Sequence, residues 1–156
     1  MKFILFCAAW LTAASSFSQT ADSLRYCLTP NKVGVGGFDP VSYFSSSKPL
    51  TGLPAISASY ENVEYRFASV KNRELFLRSP SRYLPQFGGW CSMTLAMGRV
   101  TTPTYDNFLI QSDKLFLFER TLSVNGRELW LQDPKGNAIL ANTTYKKHIA
   151  SGSGKK

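Results

Sequence analysis

The sequence predicts an α+β fold, one small domain of short antiparallel β-hairpins packed with helices. Three observations lead there. Two pairs of short apolar runs flank tight polar turns. Each pair is followed by a helical segment that ends at proline. Aromatic residues make up 13% of the chain, which suits a packed core and not a disordered segment. A length of 156 residues leaves room for one domain plus processing segments.

Residues 1–18 read as a signal peptide: Lys2 gives a positive start, an apolar stretch follows over 3–14, and Ser16 and Ser18 are the small residues of a cleavage site before Gln19. The alternative is an N-terminal core helix. The apolar stretch is too short to span a bilayer comfortably, and no other long apolar run exists, so the mature chain is expected to carry no transmembrane segment. Residues 19–32 form a lead-in, 33–150 the domain, and 151–156 a disordered tail. Within the domain, 33–35 is a short strand ending at Gly36-Gly37. Asp39-Pro40 starts a turn, because aspartate accepts nearby backbone N–H bonds and proline fixes its own φ. Residues 45–52 are a polar loop.

The first hairpin is expected over 56–60 and 63–67, turning at Glu61-Asn62. Tyr65 and Phe67 share one face by the two-residue period. Ser69 caps a helix that runs through Leu77 and stops at Pro80. Leu75, Phe76 and Leu77 are consecutive, which predicts burial around much of that helix. A second hairpin covers 107–110 and 115–118, turning at Ser112-Asp113. A helix follows, and a last helix runs over 137–148.

The two helical segments resemble each other. Asn72-Arg-Glu-Leu-Phe-Leu-Arg-Ser-Pro80 and Gly126-Arg-Glu-Leu-Trp-Leu-Gln-Asp-Pro134 share five of nine residues at an offset of 54, with Phe76 aligned to Trp130. This predicts a two-fold hairpin-plus-helix pseudo-repeat around one core, with Phe76 and Trp130 at equivalent places. Two copies are too few for a solenoid. The alternative is chance similarity between two helix ends.

The sharpest local feature is Gly88-Gly89-Trp90-Cys91. Two glycines permit a tight turn, and residues 90–97 can then form a short helix ended by Gly98. Cys91 falls in its first turn, the end where partial positive charge favours a thiolate. Met93 and Met97 lie four residues apart on one face. With Cys91 they offer soft sulfur donors of the kind that select copper(I). The competing readings are a small buried apolar cysteine and a methionine pair that only fills a core. Cys27 and Cys91 are the cysteines left after export, so a Cys27–Cys91 disulfide also competes. In the chain-entropy model it would stabilise the fold by about 4 kcal/mol. His148, the one histidine, lies near the end of the chain, and pairing it with Cys91 as a nucleophile would require the end to fold back. No spaced Cys/His set for zinc, no phosphate-binding loop and no paired carboxylates are identifiable. An enzyme is the reading that the sequence supports least.

The run Gly37-Phe-Asp-Pro-Val-Ser-Tyr-Phe44, then Tyr60-Glu-Asn-Val-Glu-Tyr-Arg-Phe-Ala-Ser69, then Asn72 to Cys91, resembles the YHS domain family, in particular its secreted stand-alone members. The resemblance covers residues 33–130. It implies an α+β fold strongly, a metal link weakly, and no reaction. Asp39, Tyr43, Asn72, Arg73, Tyr83 and Pro85 match recurrent positions; structural roles are expected for them, with Asp39 holding its turn, Arg73 bridging to an acid or carbonyl, and Tyr83 and Phe87 in or beside the core. Cys91 matches the recurrent cysteine of a Gly-Gly-aromatic-Cys element. Many relatives hold a metal with cysteines just after the Asp-Pro-Val and in the central strand and helix. Here Ser42, Ala68 and Asn72 stand at those places.

The formal net charge is +8, and removal of the leader takes away Lys2 and no acid. A basic exported protein meets anionic partners such as an envelope surface, with nucleic acid excluded by compartment. The positive residues are dispersed, near 66–82 and again at Lys146, Lys147, Lys155 and Lys156, which also suits an ordinary solvated surface. The expected location is secreted or periplasmic. Two function classes follow. One is an exported soft-metal binding or sensing module using Cys91 with Met93 and Met97. The other is a non-catalytic envelope interaction module with no metal and a Cys27–Cys91 disulfide.

Overall fold

Both predicted hairpins form. In the computed structural model, which describes residues 24–151, β1 (Leu53–Tyr60) pairs antiparallel with β2 (Val63–Phe67), and β3 (Thr104–Gln111) with β4 (Lys114–Phe118), as two separate two-stranded sheets. Both residues of each turn are left-handed, with φ of 49° and 62° at Glu61 and Asn62 and of 50° and 56° at Ser112 and Asp113. That is what a two-residue hairpin needs to match strand twist. The expected signal peptide at 1–18 and positions 152–156 of the expected tail lie outside the described residues.

The helices are α1 (Val70–Arg78), α2 (Pro80–Tyr83), α3 (Ser92–Ala96), α4 (Gly126–Trp130) and α5 (Pro134–Ser151). Ser69 caps α1, its hydroxyl accepting from the Asn72 N–H at 3.1 Å. Asn125 caps α4 in the same manner through the Arg127 N–H. Pro80 and Pro134 do more than end a helix. Each begins the next one, at the position where a missing N–H costs nothing, so the last helix starts three residues before the sequence suggested.

The pseudo-repeat extends to register. Leu53 faces Phe67, a bulge intervenes, and Ser57 faces Arg66. In the second hairpin Thr104 faces Phe118, a bulge intervenes, and Phe108 faces Leu117. Phe76 is fully buried, its ring 5.1 Å from Tyr65 and 5.2 Å from Phe67. Trp130 is fully buried, 5.1 Å from Phe116 and 5.6 Å from Phe118. The two aromatics thus occupy equivalent places, each on the helix after its hairpin.

The repeats share β4 as a wall. Leu115 and Leu117 join Val63, Tyr65, Phe67 and Phe76 in one cluster, while Phe116 and Phe118 join Leu95, Trp130 and Ala141 in a second. Burial on both faces is why β4 reads as an unbroken apolar run, whereas β2 alternates.

Four expectations are corrected. Of α1 only Phe76 is buried; Leu77 and Val70 are about half exposed, since this short helix rests on one side of its hairpin. Residues 33–35 make no strand: Val33 forms one parallel bridge to Glu64, and Val35 enters a 3₁₀ turn, Val35–Gly37. The lead-in is part of the core, with Tyr26 and Cys27 buried. The short helix after Gly88-Gly89 spans Ser92–Ala96, so Cys91 is its N-cap and Met97 its C-cap.

Candidate functional site

Asp39 is fully buried. Its Oδ1 accepts from the Val41 N–H at 2.9 Å, and its Oδ2 accepts from the Ala68 N–H at 2.9 Å and from Asn72 Nδ2 at 2.6 Å. Its carbonyl accepts from the Ser42 hydroxyl at 2.7 Å. The turn role expected of Asp39 is therefore present, and it reaches further, tying the turn to the end of β2 and to α1. Ser42, Ala68 and Asn72, the three positions where the resemblance would put metal ligands, converge here, but as donors to Asp39: Ala68 and Asn72 to its carboxylate and Ser42 to its backbone carbonyl. Their chemistry does not fit a metal: two of the three contribute only N–H groups to this cluster. Arg73, expected to bridge to an acid or carbonyl, has a buried Nε with no partner.

Cys91 stands in the second half where Asp39 stands in the first. The turns before them match: φ is 53°, 60° and 83° at Val35, Gly36 and Gly37, and 55°, 62° and 88° at Phe87, Gly88 and Gly89. Gly88 needs its lack of a side chain, since a Cβ there would collide with the Arg25 carbonyl. The Phe38 N–H donates to Val35 O at 3.0 Å and the Trp90 N–H to Phe87 O at 3.2 Å. The Asp39 N–H donates to Leu50 O and the Cys91 N–H to Thr101 O. Bridges to the hairpins also recur, Val33 to Glu64 and Pro85 to Leu115. The Cys91 sulfur accepts from the Glu119 N–H at 3.1 Å and the Thr94 N–H at 3.5 Å.

Cys91, Met93 and Met97 line one cavity of about 320 Å³, together with Glu119, Leu129 and Gly126. The sequence had singled out the three sulfur residues; the structure brings them to one wall. Cys91 is fully covered and Met97 is 53% exposed, so the sulfurs run from floor to rim. Arg99 also borders the cavity and donates to the Met97 sulfur at 3.9 Å. The Thr101 hydroxyl donates to the Glu119 carboxylate at 3.0 Å and lies 2.8 Å from the Thr94 hydroxyl. That chain fixes the β4 end against α3. Sequence reasoning missed Glu119 and Gly126, because they reach the cavity from beyond the second hairpin, and Arg99, which borders it from the loop after α3. The alignment of Gly126 with Asn72 was the one available signal.

Cys27 and Cys91 are both free thiols. Cys27 donates to the Thr102 hydroxyl at 3.8 Å and lies 3.7 Å from the Tyr105 hydroxyl. Burial pushes the Cys27 thiol up from its ordinary value, against the hydrogen bonds to Tyr105 and Thr102. The Cys27–Cys91 disulfide is therefore absent, each sulfur being directed at its own partners. His148 packs edge-on against Trp90 with ring centroids 5.5 Å apart, away from the cavity lining, and forms no pair with Cys91. Among the described residues no group of three or more His, Cys, Asp or Glu could hold a metal, and no helix is long and apolar enough to cross a membrane.

No family model, curated protein or solved structure matches the chain. The class that fold and cavity define is an α+β domain with a thiol- and thioether-lined pocket.

Proposed function

We propose that the chain is an exported, YHS-like binding module, non-catalytic, whose site is the Cys91 cavity and whose ligand is a soft metal ion, copper(I). One observation carries this reading: Cys91, Met93 and Met97 share the wall of a single cavity. A thiolate with two thioethers is a donor set that suits monovalent copper and excludes hard cations. Zinc takes about four Cys, His, Asp or Glu ligands, and among the described residues no group of three or more of these could hold a metal.

The test is competition with bicinchoninate under reducing, anaerobic conditions. The folded protein is expected to withdraw one equivalent of copper(I). Cys91→Ser should abolish uptake, and the Met93→Leu, Met97→Leu double variant should weaken it at least tenfold. Uptake unchanged in Cys91→Ser, or none by the native protein, would refute the reading.

A second reading is an envelope interaction module with no metal. The observation favouring it is that the Cys91 sulfur is fully covered and already held by two N–H groups, the state of a structural cysteine. A basic chain of this kind would meet an anionic surface. The competition experiment separates the two.

A further inference from the structure

One contact of the first half has no counterpart in the second. Asn72 Nδ2 donates to Asp39 at 2.6 Å. The residue aligned with Asn72 is Gly126, which has no side chain and lines the cavity beside Cys91. The strand-end and hydroxyl contacts around the missing one are retained. The Ala68 and Glu119 N–H groups hold Asp39 and Cys91 from the strand ends, and the Ser42 and Thr94 hydroxyls donate to the Asp39 and Cys91 carbonyls at 2.7 and 3.2 Å.

We infer that the cavity is the place of the lost Asn72 counterpart, and that a soft cation reaches the Cys91 sulfur there, at the position an amide N–H takes on Asp39. The ligand class rests on the copper reading above; the position does not. An N–H donor and a metal cation both approach an acceptor's lone pair, so a site that has lost the donor while keeping the acceptor is left open to a cation. Substituting sulfur for carboxylate oxygen changes the preference from hard to soft. Close packing at Gly126 admits only glycine, so the side chain that would make the third contact is excluded. A Cβ there would lie 2.9 Å from the Glu119 carbonyl oxygen and 3.4 Å from Met93 Cβ. The first half is closed by Asn72, which predicts one site per chain.

The experiment blocks the vacated place from an exposed wall. Val124 lines the cavity and is 48% exposed, so Val124→Trp can fill it without disturbing either core, which a melting curve checks. Two readouts are taken on the full chain: copper(I) competition, and the rate at which methyl methanethiosulfonate blocks Cys91, with Cys27→Ala as background. The expected result is copper affinity at least tenfold weaker and Cys91 modification at least tenfold slower in Val124→Trp. Copper binding and modification both unchanged would overturn the inference. If copper binding were unchanged while Cys91→Ser abolished it, the inference would fail and the proposed function would stand. If the native protein took up no copper but Cys91 modification slowed in Val124→Trp, the vacated place would stand as the route to sulfur and the copper reading would fail.

Discussion

Truncating Phe76 and Trp130 to alanine should cost the same amount, because the two rings do the same job in successive halves. Each is fully buried on the helix after a hairpin, and each meets two aromatics of the second strand with centroids 5.1 to 5.6 Å away. Removing a buried Phe or Trp side chain loses its transfer energy and leaves a cavity, together about 3–5 kcal/mol. Phe76 also loses the edge contact to Tyr60 at 6.2 Å. The Trp130 cavity is larger, but its indole Nε1 is buried without a partner, and deleting an unsatisfied donor recovers about 1–3 kcal/mol. The offset brings the two costs together, near 4 kcal/mol. With a urea slope of roughly 1–3 kcal/mol per molar, the midpoint should fall by about 2 M in each variant. Equilibrium urea unfolding followed by far-UV circular dichroism measures this. A cost under about 1 kcal/mol in either variant, or a difference above about 2 kcal/mol between them, would refute the equivalence. Each loss is a large part of the roughly 5–15 kcal/mol that holds a domain of this size together, so both variants should also be purified at low temperature.

Trp130→Phe, which makes the second half like the first, should cost at most about 1.5 kcal/mol, since lost volume is set against removal of the unpaired indole donor; the same urea measurement reads it. Asp39→Ala strips three donors of their acceptor and should destabilise by about 3 kcal/mol or more, with Asp39→Asn intermediate. Denatured, unreduced protein should yield both Cys27 and Cys91 to Ellman's reagent, and a missing pair of thiols would contradict the free state of the two cysteines. Burial raises the hydroxyls of Tyr26, Tyr43, Tyr65, Tyr105 and Tyr145 above their ordinary value. A group whose folded value is raised keeps its proton longer in the folded state, so its contribution is whole below the unfolded value, about 10 for tyrosine, and is lost as pH rises beyond it. Urea midpoints should therefore fall steadily above about pH 10, and a midpoint that held constant to pH 11 would count against the buried tyrosines. N-terminal sequencing of material exported by the cell should begin at or near Gln19, and retained Met1 would sink the export reading.

The hairpins and their turns were legible because they depend on local rules: alternation on β2, and turn residues that tolerate positive φ. The nine-residue helix motif was legible as well, and it led to the pairing of Phe76 with Trp130. The larger repeat was not. Its offset slips, because the link from β4 to α4 is longer than the link from β2 to α1, so a comparison at one fixed spacing catches the helices and misses the rest. Gly36-Gly37-Phe38-Asp39 and Gly88-Gly89-Trp90-Cys91 share Gly-Gly-aromatic at an offset of 52, outside that fixed spacing, and backbone angles and hydrogen bonds show that the two turns correspond. The burial of α1 was overestimated from three consecutive apolar residues, since sequence does not say which side of a short helix has a neighbour. The disulfide suggested by an even cysteine count was a statement about number; the direction of each sulfur is set by Thr102 and Tyr105 on one side and by the Glu119 N–H on the other.

The duplicated turn also explains why a cysteine can be both structural and available. In the first half the acceptor is a carboxylate with two oxygens, and two backbone N–H groups and the Asn72 amide use it up. In the second half a single sulfur accepts from two backbone N–H groups and holds the same strand end. Sulfur is larger and a weaker acceptor than oxygen, so those two contacts leave its remaining direction weakly claimed. Asn72 makes the first site rigid by filling that direction with an amide. Gly126 leaves it to the cavity, while Thr94, Thr101 and Glu119 take over the bracing. The second half therefore keeps its fold without the third contact, and on the copper(I) proposal that unfilled direction is where the ligand would bind. Asn72→Ala in the first half should accordingly destabilise the protein by about 1–3 kcal/mol and create no copper site, because Asp39 offers oxygen where the ligand needs sulfur. Copper uptake that rose to two equivalents in Asn72→Ala would show that the vacancy alone, and not the sulfur, selects the cation.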